Sequence, residues 1–150
     1  MTNEHVLQEL AGLIKPRLSA GNPLAEAFFV TVADAKDAEA TRTCAVLQTS
    51  YSAARELIPG NFTWQYPCRL YARFYPPQGD WQAEQMLGWM DEAALALVAS
   101  LSALGAAPVQ EQKERGFVVL DAVCTGGVSW QADADVGYIG EVPFQLTIQF

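Results

Sequence analysis

The feature that most constrains this chain is its longest uncharged stretch, Ala93 to Val109. From Ala93 to Leu104 the residues are apolar nearly all the way round a helix, so that segment must be covered on more than one side. The helix reads as starting near Asp80, an N-cap with Glu84 in the first turns, and as ending at Gly105 in the C′ position. Met86, Met90, Leu97, Leu101 and Leu104 line one side of it, over roughly 24 residues and about 36 Å. The uncharged stretch falls short of the ~20 residues that cross a bilayer, is broken by Gly105 and Pro108 and has no basic flank. It reads as a buried helix end and predicts no membrane role. Its cover is either the rest of the chain, the ordinary solution, or a second subunit.

Strand patterns surround this helix. The run Ala27 to Val32 is aromatic and β-branched, and Arg42 to Gln48 reads as a second strand. The polar stretch Asp34 to Thr41 between them reads as the long, charged tip of a hairpin, longer than a hairpin needs. In Cys68 to Tyr75 the period is two: Cys68, Leu70, Ala72 and Phe74 form one face, Arg69, Tyr71, Arg73 and Tyr75 the other, which predicts a half-buried strand. Phe117 to Cys124, interrupted by Asp121, and the alternating Val142 to Phe150 are the closing strands, with Thr125 to Gly140 a loop between them. At the N-terminus, Asn3 caps a short amphipathic helix through Val6, Leu10, Leu13 and Ile14, which Pro16 breaks. Residues 50–65 are ambiguous, with Ser52 to Leu57 a possible helical turn. The whole, 1–150, reads as a single α+β domain. Its largely antiparallel sheet of about five strands is packed by one short N-terminal and one long central helix.

With 9 Lys and Arg against 17 Asp and Glu, the net charge is −8. No basic residue lies between Arg73 and Lys113, and none follows Arg115. A nucleic-acid binder needs clustered cations to displace the counterions of phosphates, so a grip on DNA or RNA is not expected. An acidic surface keeps a small protein soluble, and it also lets a polyanion slide past without sticking. The opening residues show no basic segment followed by an apolar run, so no secretory signal is expected. Cys44, Cys68 and Cys124 form no disulfide pattern and read as small core residues of a reducing compartment.

Little in the chain points to catalysis. The one histidine, His5, lies in the first turn of the first helix, with neither a second His nor paired Cys to complete a zinc site. Thr125-Gly126-Gly127 lacks the Lys-Ser/Thr of a phosphate loop. Asp133-Ala134-Asp135 misses the third oxygen ligand, the central Gly and the distal Glu of a calcium loop. No catalytic residue, cofactor or metal is predicted. Arg69 and Arg73, which share a strand face with Tyr71, are either a partner-binding face, where such residues concentrate energy, or the wet side of a sheet with arginines stacked on rings. Trp64, Trp81, Trp89 and Trp130 read as core or rim.

In order and pattern the chain resembles the tail terminator, or tail-completion, proteins of long-tailed bacteriophages, which join tail to head. The resemblance runs through most of the chain: the short amphipathic helix, the charged tip, the Arg-bearing strand Tyr66-Pro67-Cys68-Arg69-Leu70-Tyr71-Ala72-Arg73, the long helix Asp80 to Leu104, a strand, an acidic loop and the closing run Gly137 to Ile148. It implies a homo-oligomeric ring, typically a hexamer, that caps the tail tube and docks to the head connector in the virion neck. DNA then passes through its channel without specific binding, and no catalysis is implied. The contact segments nominated on this basis are the tip (Asp34, Asp37, Glu39), the 125–137 loop (Trp130, Asp133, Asp135) and the face of Arg69, Tyr71 and Arg73. Alternatives are another head–tail connector or tail-tube component, a small α+β ligand-binding or enzymatic domain with an enclosed pocket, and a non-viral interaction module.

Overall fold

The computed structural model describes residues 3–31, 43–49, 56–58, 63–75, 81–133 and 137–149. Its first helix, α1 (Asn3–Ile14), turns Val6, Leu7, Leu10 and Ile14 inward at helical spacing. Pro16 ends the α-helical pattern as expected, and the chain tightens into a 3₁₀ turn at Lys15–Arg17. A second such turn, Pro23–Ala25, is capped by Asn22, whose side chain accepts a hydrogen bond from the Leu24 N–H.

Among the described residues seven strands make one mixed, mostly antiparallel sheet: β1 (Phe28–Thr31), β2 (Cys44–Thr49), β3 (Glu56–Ile58), β4 (Thr63–Phe74), β5 (Val118–Cys124), β6 (Ser129–Asp133) and β7 (Gly137–Gln149). The order is β1-β2-β4-β7-β5, with β3 added to β4 and β6 to β7. The long strands β4 and β7 pair over their full overlap, from Thr63 opposite Gln149 to Phe74 opposite Tyr138, and form the spine of the domain.

The sheet corrects the predicted hairpin. Strands β1 and β2 are parallel neighbours, with Phe28 opposite Ala45. A tight turn can join only antiparallel strands, and parallel ones need a longer return. The two strands are therefore not the arms of a hairpin, and the polar stretch between them lies outside the described residues. The charged residues Asp34, Asp37 and Glu39 lie outside the described residues.

Other boundaries also move. Within residues 50–65 the chain contributes a strand, with Glu56 and Leu57 in β3 opposite Gln65 and Trp64. The loop expected between the last two strands is instead the hairpin β6–β7, closing from Asp133 opposite Gly137. Gly137 has φ 92°, a left-handed conformation that favours glycine. Asp121 follows a bulge in β5, where the register shifts between Val119 and Asp121, so that Leu120 and Asp121 both face outward.

The long helix α2 spans Ala83–Ala106. Its N-cap is Gln82, without a side-chain cap bond, and Asp80 lies outside the described residues. Gly105 sits inside the last turn, and α2 stops ahead of Pro108. A short helix that no sequence pattern marks, α3 (Val109–Glu114), follows and ends with Gly116 at φ 92°. Arg115 reaches back from there and donates to the Leu104 carbonyl at 3.2 Å, serving a helix end that has no basic residue of its own.

The main core lies between the sheet and α1 and α2, where Met86, Met90, Ala93, Leu97, Leu101 and Leu104 meet Leu47, Leu70, Phe74, Phe144, Leu146 and Ile148. Close approach at one point requires glycine. A Cβ on Gly140 of β7 would lie 2.6 Å from Met90 Sδ and 3.2 Å from a Trp130 ring carbon. Two buried polar side chains tie the layers. Asn22 donates to the Trp89 carbonyl (3.2 Å) and to Glu92 (3.1 Å). Gln112 donates to the Ala107 carbonyl (2.6 Å) and accepts from the Val119 N–H (2.9 Å).

Candidate interaction surfaces

The Arg-bearing face of β4 is not wet. β4 lies between β2 and β7, and this second side of the sheet holds its own buried cluster of Ala27, Cys44, Val46, Tyr71 and Ile139. Tyr71 and Arg73 are buried within it, which overturns the half-buried reading for the upper part of the strand. A sequence signal for this existed. Cys44-Ala45-Val46-Leu47 is an uninterrupted apolar run, the mark of a strand covered on both faces, and all of β2 is buried.

Among the described residues Arg69, Glu141 and Arg73 meet on this face. Arg69 donates to Glu141 across the sheet at 2.8 Å, and its guanidinium lies 5.1 Å from the Tyr71 ring centre, a cation–π contact. Glu141 is the register partner of Tyr71 on β7, which brings that carboxylate within reach of Arg69 two residues away. Burial pushes the Tyr71 hydroxyl above its usual pKa, while the positive charges of Arg73 and Arg69 pull it back. Arg73 is one of the largest fully enclosed side chains, and its Nη2 lies 3.8 Å from Cys44 Sγ.

The other nominated residues separate. Trp130, expected in a contact loop, is on β6 and packs inward. It stacks on Tyr138 with centroids 5.7 Å apart and sits 5.9 Å from the Phe74 ring, so it belongs to the rim of the core. Asp133 closes the β6–β7 hairpin through its backbone, and Asp135 lies outside the described residues. Thus Arg69, Tyr71 and Arg73 come together, and Trp130 and Asp133 belong to a different hairpin.

The long helix has an open side that periodicity alone did not reveal. Leu95 is 72% exposed and Val98 52%, with Leu87 also exposed, so the rest of the described chain does not cover α2 all round. An open-sided groove of about 480 Å³ runs beside Leu95, lined by Arg17, Gly88, Asp91, Glu92, Ala96 and Ala99. Glu92 is already engaged. Burial pushes its carboxyl up, but hydrogen bonds from Ser19 and Asn22 outweigh this and hold it below the usual range. Further apolar surface lies on β5, where Leu120 and Val123 are exposed, and on β1 at Phe29. Among the described residues β1 and β5 are the two ends of the strand order, each paired on one side only.

With 24 residues, α2 is also long and apolar enough to cross a bilayer by length and composition, which the uncharged stretch by itself did not predict. Its inner side is built into the core, as it is in the central helix of a globular domain. Among the described residues no group of three or more His, Cys, Asp or Glu is placed to hold a metal ion. Compared with models of known families the chain matches none, and no curated protein matches it.

Proposed function

We propose that this protein is a structural component of a bacteriophage virion neck. In this reading it forms a tail-terminator-like ring that caps the tail tube, meets the head connector and lets DNA through its channel. The resemblance in element order motivates the reading, and one structural observation supports it best. A single subunit presents apolar surface on different elements, among them Leu95 and Val98 on α2 and Leu120 and Val123 on the edge strand β5. Two different patches on one subunit suit head-to-tail association, which closes into a ring when the rotation permits. The net charge of −8 favours a passage that a polyanion does not adhere to.

The test is the native mass of the protein alone and with purified tail tubes. Association into a ring, in solution or on the tube, is the expected outcome. The variants Leu95→Asp and Val123→Lys are expected to abolish it while leaving the circular dichroism of the subunit unchanged. A strict monomer that never binds tubes overturns the proposal.

A further inference from the structure

Arg73 poses a charge problem that the described residues do not solve. The side chain is 1% exposed, in the middle strand of the sheet, with Cys44 of β2 and Ile139 of β7 as its register partners. A guanidinium cannot shed its proton in a protein, and it presents five donors in a rigid fork. Here Nη2 has only the weak sulfur acceptor of Cys44 at 3.8 Å, and Nε has no partner. The carboxylate on this face, Glu141, is held by Arg69 at 2.8 Å. Among the described residues two guanidiniums therefore share a face with one carboxylate, and the enclosed one, Arg73, is uncompensated. A buried charge without a counter-ion is strongly unfavourable, because it gives up its hydration and receives nothing in return.

We propose that Arg73 is the seat of an oxyanion of the carboxylate class, which the guanidinium fork matches in plane and spacing. Two sources share that chemistry: a small carboxylate from solution, and an Asp or Glu side chain of a second copy of this acidic chain. The inference does not depend on the ring, since a monomer with a bound small anion satisfies it equally. Because the seat is enclosed, filling it requires its surroundings to yield, and the response is best read at equilibrium.

The experiment compares wild type, Arg73→Met and Arg73→Lys by thermal unfolding in sodium acetate against sodium chloride at equal ionic strength, with sedimentation equilibrium on each. If the anion comes from solution, the wild-type midpoint rises by about 3–5 °C at ten times the dissociation constant, and Arg73→Met does not respond. If a second copy supplies it, wild type associates and Arg73→Met is a folded monomer. Arg73→Lys keeps the charge without the fork and is expected to show a smaller acetate shift or weaker association. It carries the comparison should Arg73→Met fail to fold. Two results overturn the proposal. One is a replacement, Arg73→Met or in its place Arg73→Lys, that matches wild type in both readouts. The other is a triple variant, Asp34→Asn, Asp37→Asn and Glu39→Gln, that lowers the midpoint of a monomer as much as Arg73→Met does, since the charge is then balanced within the chain.

Discussion

Replacing Gly140 by alanine probes the point where the long helix is pressed onto the spine of the sheet. The added methyl would stand 2.6 Å from Met90 Sδ, 2.7 Å from Met90 Cγ and 3.2 Å from Trp130 Cε3. Carbon and sulfur atoms that are not bonded settle at about 3.5–4 Å, so roughly 1 Å of displacement is needed. Met90 is fully buried, and Trp130 is braced by Tyr138 and Phe74. Met90 has no way out to solvent and Trp130, half-buried, is held by its ring contacts, so the misfit falls on the core. Overpacking of this kind costs about 1–3 kcal/mol. Against it, alanine restricts the unfolded chain and returns about 0.4–1 kcal/mol, with no backbone strain to add because Gly140 is in strand conformation. The net expectation is a loss of about 1–2 kcal/mol, or about 2–8 °C in Tm for a domain of this size. Urea unfolding followed by tryptophan fluorescence measures it. Pairing the change with Met90→Ala closes a double-mutant cycle, and the combined loss should fall short of the sum by at least 0.5 kcal/mol on the order of a direct contact. A neutral or stabilising Gly140→Ala, or strict additivity with Met90→Ala, refutes the argument, because either means that β7 and α2 are not in contact there.

Gln112→Ala should cost about 2–3 kcal/mol, since it strands the Val119 N–H and the Ala107 carbonyl, and denaturant unfolding will register it. Asn22→Ala removes the bond from the Leu24 N–H and those to Trp89 and Glu92, and should cost about 2 kcal/mol by the same assay. Burial pushes the Cys68 thiol up to about 12 from the usual 9.0, with its S–H directed at the Tyr66 carbonyl. The unfolded thiol loses its proton first, so this contribution to stability is complete below about pH 9 and is lost as pH rises toward 12. The slope approaches about 1.4 kcal/mol per pH unit. Comparing urea midpoints of wild type and Cys68→Ala at pH 8 and pH 10 isolates it, and equal pH dependence in the two proteins would contradict the assignment.

The local elements were legible because they rest on short-range chemistry. Pro16 stops α1, the alternation in Cys68 to Phe74 and in Phe144 to Ile148 makes strands, and Met86 through Leu104 mark the inner side of α2. Those patterns also determine the class, since a sheet with one wet-free face and two amphipathic helices has few other ways to bury itself. Direction and enclosure are a different matter. Nothing within Phe28–Thr31 or Cys44–Thr49 specifies that they run parallel, because pairing direction depends on where the returning chain meets a sheet assembled from distant segments. The alternation Arg69, Tyr71, Arg73 is the pattern of a half-wet strand, and only the folded chain shows that Tyr71 and Arg73 are buried. Conversely, Leu95 and Val98 belong to the stretch whose apolar character calls for cover and are left uncovered, because composition states how apolar a helix is but not how many neighbours the fold brings to it. Periodicity is a property of consecutive residues and can be read along the chain. Whether a face meets water is decided by residues far away in sequence, and so only by the folded structure.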